Sequence, residues 1–186
     1  MKLLFFDLET TGVNFWQHGI HQLSGIIEVD GKFQKDFDFK VRPNPKAKIE
    51  KEALDVAGVT LDQIQAYPPM ETVYKEFVSM LSEFVDKYNK KDKFYLVGYN
   101  NASFDNQFLR AFFIQNNDNY FGSWFWSNSI DCMVMATPKL AEVRSQMSDF
   151  KLKTVAKQLG IEVDESMLHN AMYDIHLTQC IYEKCK

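Results

Sequence analysis

Hydrophobic positions along the chain come first as short runs and alternations, then as stripes spaced three and four residues apart. The first run, Leu3-Leu4-Phe5-Phe6 into Asp7-Leu8-Glu9, predicts a buried strand over 3–9 with a turn at Thr11-Gly12. A second strand is expected over Gln22–Val29, stopped by Asp30-Gly31, a dipeptide suited to a tight hairpin. Over Phe33–Val41 the rings of Phe33, Phe37 and Phe39 all fall on odd positions, the period of a third, antiparallel strand. Pro43 and Pro45 open a loop, and Lys51–Ala57 predicts a short helix stopped by Gly58.

From Met70 the period changes. Val73, Phe77, Met80, Leu81, Phe84, Val85 and Tyr88 predict a long amphipathic helix over Met70–Tyr88. Phe94–Tyr99 reads as a short strand, and Ala102–Gln115 as a helix striped by Phe104, Phe108, Ala111 and Phe112. Ile130–Met135 is expected to be another strand, Leu152–Leu159 a helix ending at Gly160, and the stretch from Ala171 to Glu183 the last helix. Three strands followed by alternating helix and strand imply an α/β fold, a mixed sheet with helices packed on it. No internal repeat, low-complexity tract or linker interrupts the pattern, so residues 1–186 are expected to form one domain.

Composition narrows the classes. A 46% hydrophobic content with 16 Phe, 8 Tyr and 3 Trp argues for a folded globule rather than disorder. The first apolar run stops at Asp7, too short for a signal-peptide core, and no stretch reaches the length of a membrane span. Cys132, Cys180 and Cys185 lack metal-site spacing, and their odd number argues against a disulfide framework; reduced thiols and a cytoplasmic setting are expected. The net charge is -4. Setting aside the four carboxylates singled out below leaves acids and bases in balance, an exterior that does not suggest a long phosphate-clamping channel.

The chemistry starts at Asp7 and Glu9. Residues i and i+2 of a strand share a face, so two carboxylates project together from a hydrophobic element. Each repels the other and is costly to desolvate unless a cation lies between them, and hard divalent cations prefer such oxygens. Asp105 follows the strand-turn stretch Val97–Phe104, in the first turn of its helix, where the macrodipole alone also favours a carboxylate. His169 and Asp174 lie in His169-Asn170-Ala171-Met172-Tyr173-Asp174. On one continuous helix they would diverge by about 140°; if His169 precedes the helix, both face one cleft, and a loop histidine suits proton transfer. Asp131, in Ile130-Asp131-Cys132, ranks below these.

Together, Phe6-Asp7-Leu8-Glu9-Thr10-Thr11-Gly12, the Asn100–Asp105 segment and His169-x-Ala171-x-x-Asp174 resemble the DEDDh, or DnaQ-like, 3′–5′ exonucleases, in the family's order. Arg42-Pro43 through Ala53 and Ala57-Gly58-Val59-Thr60 look like that family's non-catalytic connector. The resemblance implies an RNase H-like fold in which Asp7, Glu9, Asp105 and Asp174 hold two Mg2+ or Mn2+ ions. It implies His169 as the general base and Asp7 as the residue shared by both ions, with backbone at Leu8, Thr10 and Thr11 seating the terminal nucleotide. Asn100 joins the substrate-binding set. Phe104 is a stacking candidate, though its place in the Phe108–Phe112 stripe favours a core role. Many relatives carry His where this chain has Tyr99, which bears on substrate preference rather than on the ligand set.

The resulting expectation is a metal-dependent hydrolase that shortens single-stranded nucleic acid from the 3′ end, DNA ahead of RNA, releasing nucleoside 5′-monophosphates. A catalytically silent module binding nucleic-acid ends in a larger assembly is the alternative, and retention of four carboxylates with His169 argues against it. A magnesium-dependent phosphatase or transferase gives no reason for His169. The chain ends about a dozen residues after Asp174, so the residues lend a polymerase partner no support. His18 and His21 lack a third zinc ligand, His176 reads as a helix-surface residue, and Trp124 and Trp126 read as packing, with a stacking platform the alternative.

Overall fold

The computed structural model describes residues 1–168 and 170–186. Three strands, β1 (Lys2–Thr10), β2 (Ile20–Val29) and β3 (Lys32–Lys40), form an antiparallel meander. Asp30 and Gly31, at φ 52° and 73°, turn β2 into β3 as the dipeptide predicts. The connector holds α1 (Lys51–Ala57) and α2 (Leu61–Gln65), followed by α3 (Met70–Ser82). Strand β4 (Tyr95–Gly98) then pairs parallel to β1, and β5 (Ile130–Asp131) parallel to β4. Among the described residues the sheet has five strands in the order β3-β2-β1-β4-β5. Helices α4 (Asp105–Gln115) and α5 (Phe121–Trp124) lie between β4 and β5, and α6 (Cys132–Lys139), α7 (Leu152–Gln158) and α8 (Ala171–Cys185) follow.

Strand alternation divides the core between the two faces. Leu4, Phe6 and Leu8 pack with Phe77, Phe112 and Phe113 from α3 and α4. Leu3, Phe5, Ile26 and Val97 pack with Val155, Ile175 and Ile181 from α7 and α8. Asp7 and Glu9 continue the second set, so the sheet face covered by α8 ends in two carboxylates. Directly across from them on β2 stand Ser24 and Gln22, both bonded to Asp38 of β3, at 2.7 and 2.6 Å.

Several elements depart from the sequence pattern. Helix α3 stops at Ser82 rather than running to Tyr88, and beyond its end the Asp86 side chain accepts the Tyr88 N–H in a separate turn. Tyr88 consequently stands exposed. Helix α4 begins at Asp105, not Ala102. The stretch Ile130–Met135 is strand for only two residues, since Asp131 accepts the Met133 N–H and starts α6 at Cys132. The register of β3 shifts between its pairings with Ile27 and Glu28, which takes Phe33 off the face of Phe37 and leaves it exposed. The short helices α2 and α5 carry no periodic signal that sequence reading used.

Candidate active site

Asp7, Glu9, Asp105 and Asp174 come from three places in the chain and meet at the end of β1. Asp7 and Glu9 are half-buried on the strand. Asp105 is buried at the start of α4, and Asp174 is half-buried in the first turn of α8, whose N-cap Asn170 accepts the Tyr173 N–H at 3.2 Å. Their electrostatics show the meeting. Burial, then the charges of Asp105, Glu9 and Asp174, hold the Asp7 carboxyl well above the usual carboxylate range. Burial and Asp174 push Glu9 up to about 7, with Lys40 of β3 opposing. Burial raises Asp105 to about 7 against backbone N–H donors at Asp105 and Leu8, with the charges of Glu9 and Asp131 adding to the rise. The Leu8 N–H also favours the charged Asp7, so one amide lies between the two carboxylates.

Among the described residues, no group of three or more His, Cys, Asp and Glu side chains is drawn together tightly enough to hold a metal ion as it stands. Mutually repelling carboxylates stay apart until a cation screens them, and the donor set is all hard oxygen, which fits magnesium or manganese. The roomier surface cavities lie away from the site, one of about 740 Å3 lying against Val78, Phe84, Tyr88 and Trp124.

The turn that delivers Asp105 is built by Asp131. Its Oδ1 accepts the N–H groups of Asn100 (2.9 Å) and Met133 (3.0 Å), and its Oδ2 that of Ala102 (3.4 Å). Asn100 adopts φ 59°, and Asn101 folds under Gly98, where a Cβ would lie 2.6 Å from the Asn101 side chain. Asp131 therefore couples β5 and α6 to the carboxylate cluster, a role its lone occurrence in the sequence does not signal. Tyr99, where many relatives have His, donates its hydroxyl to the Phe150 carbonyl at 2.6 Å. The Asn100 side chain accepts from Ser103 at 2.8 Å. Phe104 is half-buried against Phe108, ring centroids 5.0 Å apart, at the N-cap position of α4.

Thr11 departs from its expected part. It is fully buried, its N–H donating to Gly19, its carbonyl accepting from Glu50, and its hydroxyl donating to the Lys48 carbonyl. With these groups committed, Thr11 builds the loop instead of presenting backbone to a ligand. Thr10 is half-buried, its hydroxyl donating to the Gly12 carbonyl at 2.8 Å. His169 lies outside the described residues; α8 begins two positions after it in the chain. The remaining candidates are structural. His18 is buried against Gly12, its Nδ1 taking the Asn14 N–H and its Nε2 3.1 Å from Glu50. His21 is buried, and desolvation with Lys40 lowers it to about 4. His176 sits exposed on α8 beside Gln179. Trp124 is buried, and Trp126 packs on Tyr95. The three cysteines are free thiols.

The chain is similar to known proteins. DNA polymerase III subunit epsilon of Pasteurella multocida is 25% identical over 191 residues, covering 97% of this chain and 66% of its own length. The PolC-type DNA polymerase III of Mycoplasmopsis pulmonis is 25% identical over 174 residues, of which this chain spans only 11%. E. coli exonuclease I, solved with a dT13 oligonucleotide, superposes with a TM-score of 0.76 at 21% identity, over 98% of this chain and 40% of that one. That likeness shows the RNase H-like fold. The RNase_T exonuclease model matches residues 4–182, nearly the whole sheet with all four carboxylates, and the chain belongs to this family of RNase H-like DEDD exonucleases.

Proposed function

We propose that residues 1–186 act as one exonuclease domain that removes nucleotides from the 3′ end of single-stranded nucleic acid in the cytoplasm, DNA ahead of RNA. The observation that carries this reading is the carboxylate cluster at the end of β1, whose members raise one another's proton affinity. Asp7, Glu9, Asp105 and Asp174 would hold two Mg2+ or Mn2+ ions. Such ions, when bound, supply an acidified water and offset charge on the phosphate and the departing 3′-oxygen. His169 takes the proton from the attacking water, as an imidazole near its ordinary pKa does at neutral pH. The new bond forms at phosphorus, the bond to O3′ breaks, and a nucleoside 5′-monophosphate leaves. Leu8, Thr10, Asn100 and Phe104 surround the terminal nucleotide.

The preference for DNA draws support from relatives named as DNA polymerase III and from exonuclease I bound to oligonucleotides. Those polymerase names also make a polymerase a partner worth testing, which the residues alone did not suggest. The test is degradation of matched 3′-labelled and 5′-labelled DNA and RNA strands with magnesium. We expect mononucleotides from the 3′ label first, arrest by EDTA, and no cutting of a circular strand. Binding without release would indicate a silent end-binding module, and cutting of the circle an endonuclease.

A further inference from the structure

Trp16 leaves 77% of its surface to solvent, at the tip of the loop joining β1 to β2. The loop that carries it is tightly bonded. Asn14 is its hub: its side chain accepts the Trp16 N–H at 2.9 Å, and its carbonyl the N–H groups of Gln17 and His18 at 2.9 and 2.8 Å. Its own N–H ends on His18 Nδ1, and the loop is closed at its base by Thr11 N–H on Gly19. Phe15, 4.9 Å from the indole by ring centroids, anchors the loop edge-on against Phe108. A large apolar ring held in water by this much bonding forfeits the gain of burial unless a ligand covers it.

A segment bearing a cation pairs with this loop, the Lys48 N–H donating to the Gln17 carbonyl at 2.7 Å. Lys48 Nζ lies 2.9 Å from Gln17 Oε1, the residue next to Trp16. Glu50 is turned to His18 and Asp55 to Lys51, so among the described residues neither acid pairs with Lys48. An exposed aromatic ring and, on the segment paired to its loop, an ammonium with no acid partner among the described residues match a nucleotide, whose base stacks while its phosphate meets the charge. The loop follows directly on the strand end that carries Glu9. Phe15 meets Phe108, which in turn meets Phe104, the residue before Asp105, with ring centroids 6.3 and 5.0 Å apart, so the loop is packed against the element that delivers the carboxylate cluster.

We propose that Trp16 and Lys48 form an outer subsite that stacks a base of the single strand upstream of its terminal nucleotide. This rests on the exonuclease reading and adds to it a grip that senses strand length rather than sequence, because every base offers a π-face. The test compares wild type, Trp16→Phe and Trp16→Ala as full chains. In EDTA, oligo(dT) should quench wild-type tryptophan fluorescence, and Trp16→Ala should lose that quenching although Trp124 and Trp126 remain. With magnesium, KM for a strand of about ten nucleotides should rise about ten-fold in Trp16→Ala, its advantage over a dinucleotide should disappear, and Trp16→Phe should retain most of both. Equal KM and equal length preference in wild type and Trp16→Ala would overturn the subsite while leaving the exonuclease reading intact. A wild type that neither binds nor shortens the strand would instead overturn the reading on which the subsite stands.

Discussion

Burial and three carboxylates together oppose the charge of Asp7. Asp7→Asn removes that charge in nearly the same volume. The cation-free protein should therefore unfold at a higher temperature than wild type at pH 8, while hydrolysis falls on the order of 10³-fold, the loss of several kcal/mol of charge stabilisation. Thermal unfolding in EDTA beside a turnover assay checks both; undiminished turnover would remove Asp7 from the ligand set. His169 makes a different claim. As a base and not a ligand, His169→Ala should keep the thermal shift produced by magnesium and lose about 10²–10⁴-fold in kcat with little change in KM. The wild-type rise of kcat with pH should vanish with it. A magnesium shift lost as fully as in Asp7→Asn would make His169 a ligand.

The turn between β4 and α4 depends on an element outside it. Asp131 caps α6 with one oxygen while gathering the Asn100 and Ala102 amides, so β5, α6 and the Asp105 turn are joined through one carboxylate. Asp131→Ala leaves those amides without their acceptor and should cost about 1–3 kcal/mol of stability in urea unfolding. It should also weaken magnesium binding, since Asp105 loses its fixed start. Asp131→Asn keeps an acceptor oxygen and should recover most of both. Equal magnesium affinity in wild type and Asp131→Ala would confine Asp131 to capping.

Stability against pH follows from the cluster taken with the rest of the molecule. Glu9 and Asp105 titrate near 7 in the fold, well above the usual carboxylate range, and Asp7 lies in the same direction. The folded state therefore holds protons that the unfolded chain releases, and the stability tied to them is present in acid and lost as pH rises through 7. Among groups shifted the other way, Lys157 and Lys153 hold Glu165 near 2, so its contribution is complete below this window. His21, lowered to about 4, gains stability as pH rises toward the ordinary histidine range and offsets part of the fall from the three carboxylates. The melting temperature in EDTA should fall between about pH 5 and 8. Magnesium should restore more of it at pH 8 than at pH 5.5, because the cation competes with protons for the same oxygens. A melting temperature in EDTA that is flat over this range would contradict the cluster.

Local pattern was enough for much of this. Alternation along Leu3–Glu9 put Asp7 and Glu9 on one face, Asp30-Gly31 made the hairpin, and Gly58 ended α1, because a strand's period and a turn's dihedrals depend on neighbours in the chain. The ordered motifs named the family for the same reason, each being short and contiguous. What lay beyond the sequence depended on partners far along it. Asp131 became a clamp because amides some thirty residues earlier needed an acceptor, and Thr11 was withdrawn from the site by Lys48 and Glu50. Trp16 stayed in water because Asn14 and His18 bind its loop from within. Hydrophobic period says which face is buried; only the assembled fold says which polar groups are already satisfied and which surfaces remain open to a ligand.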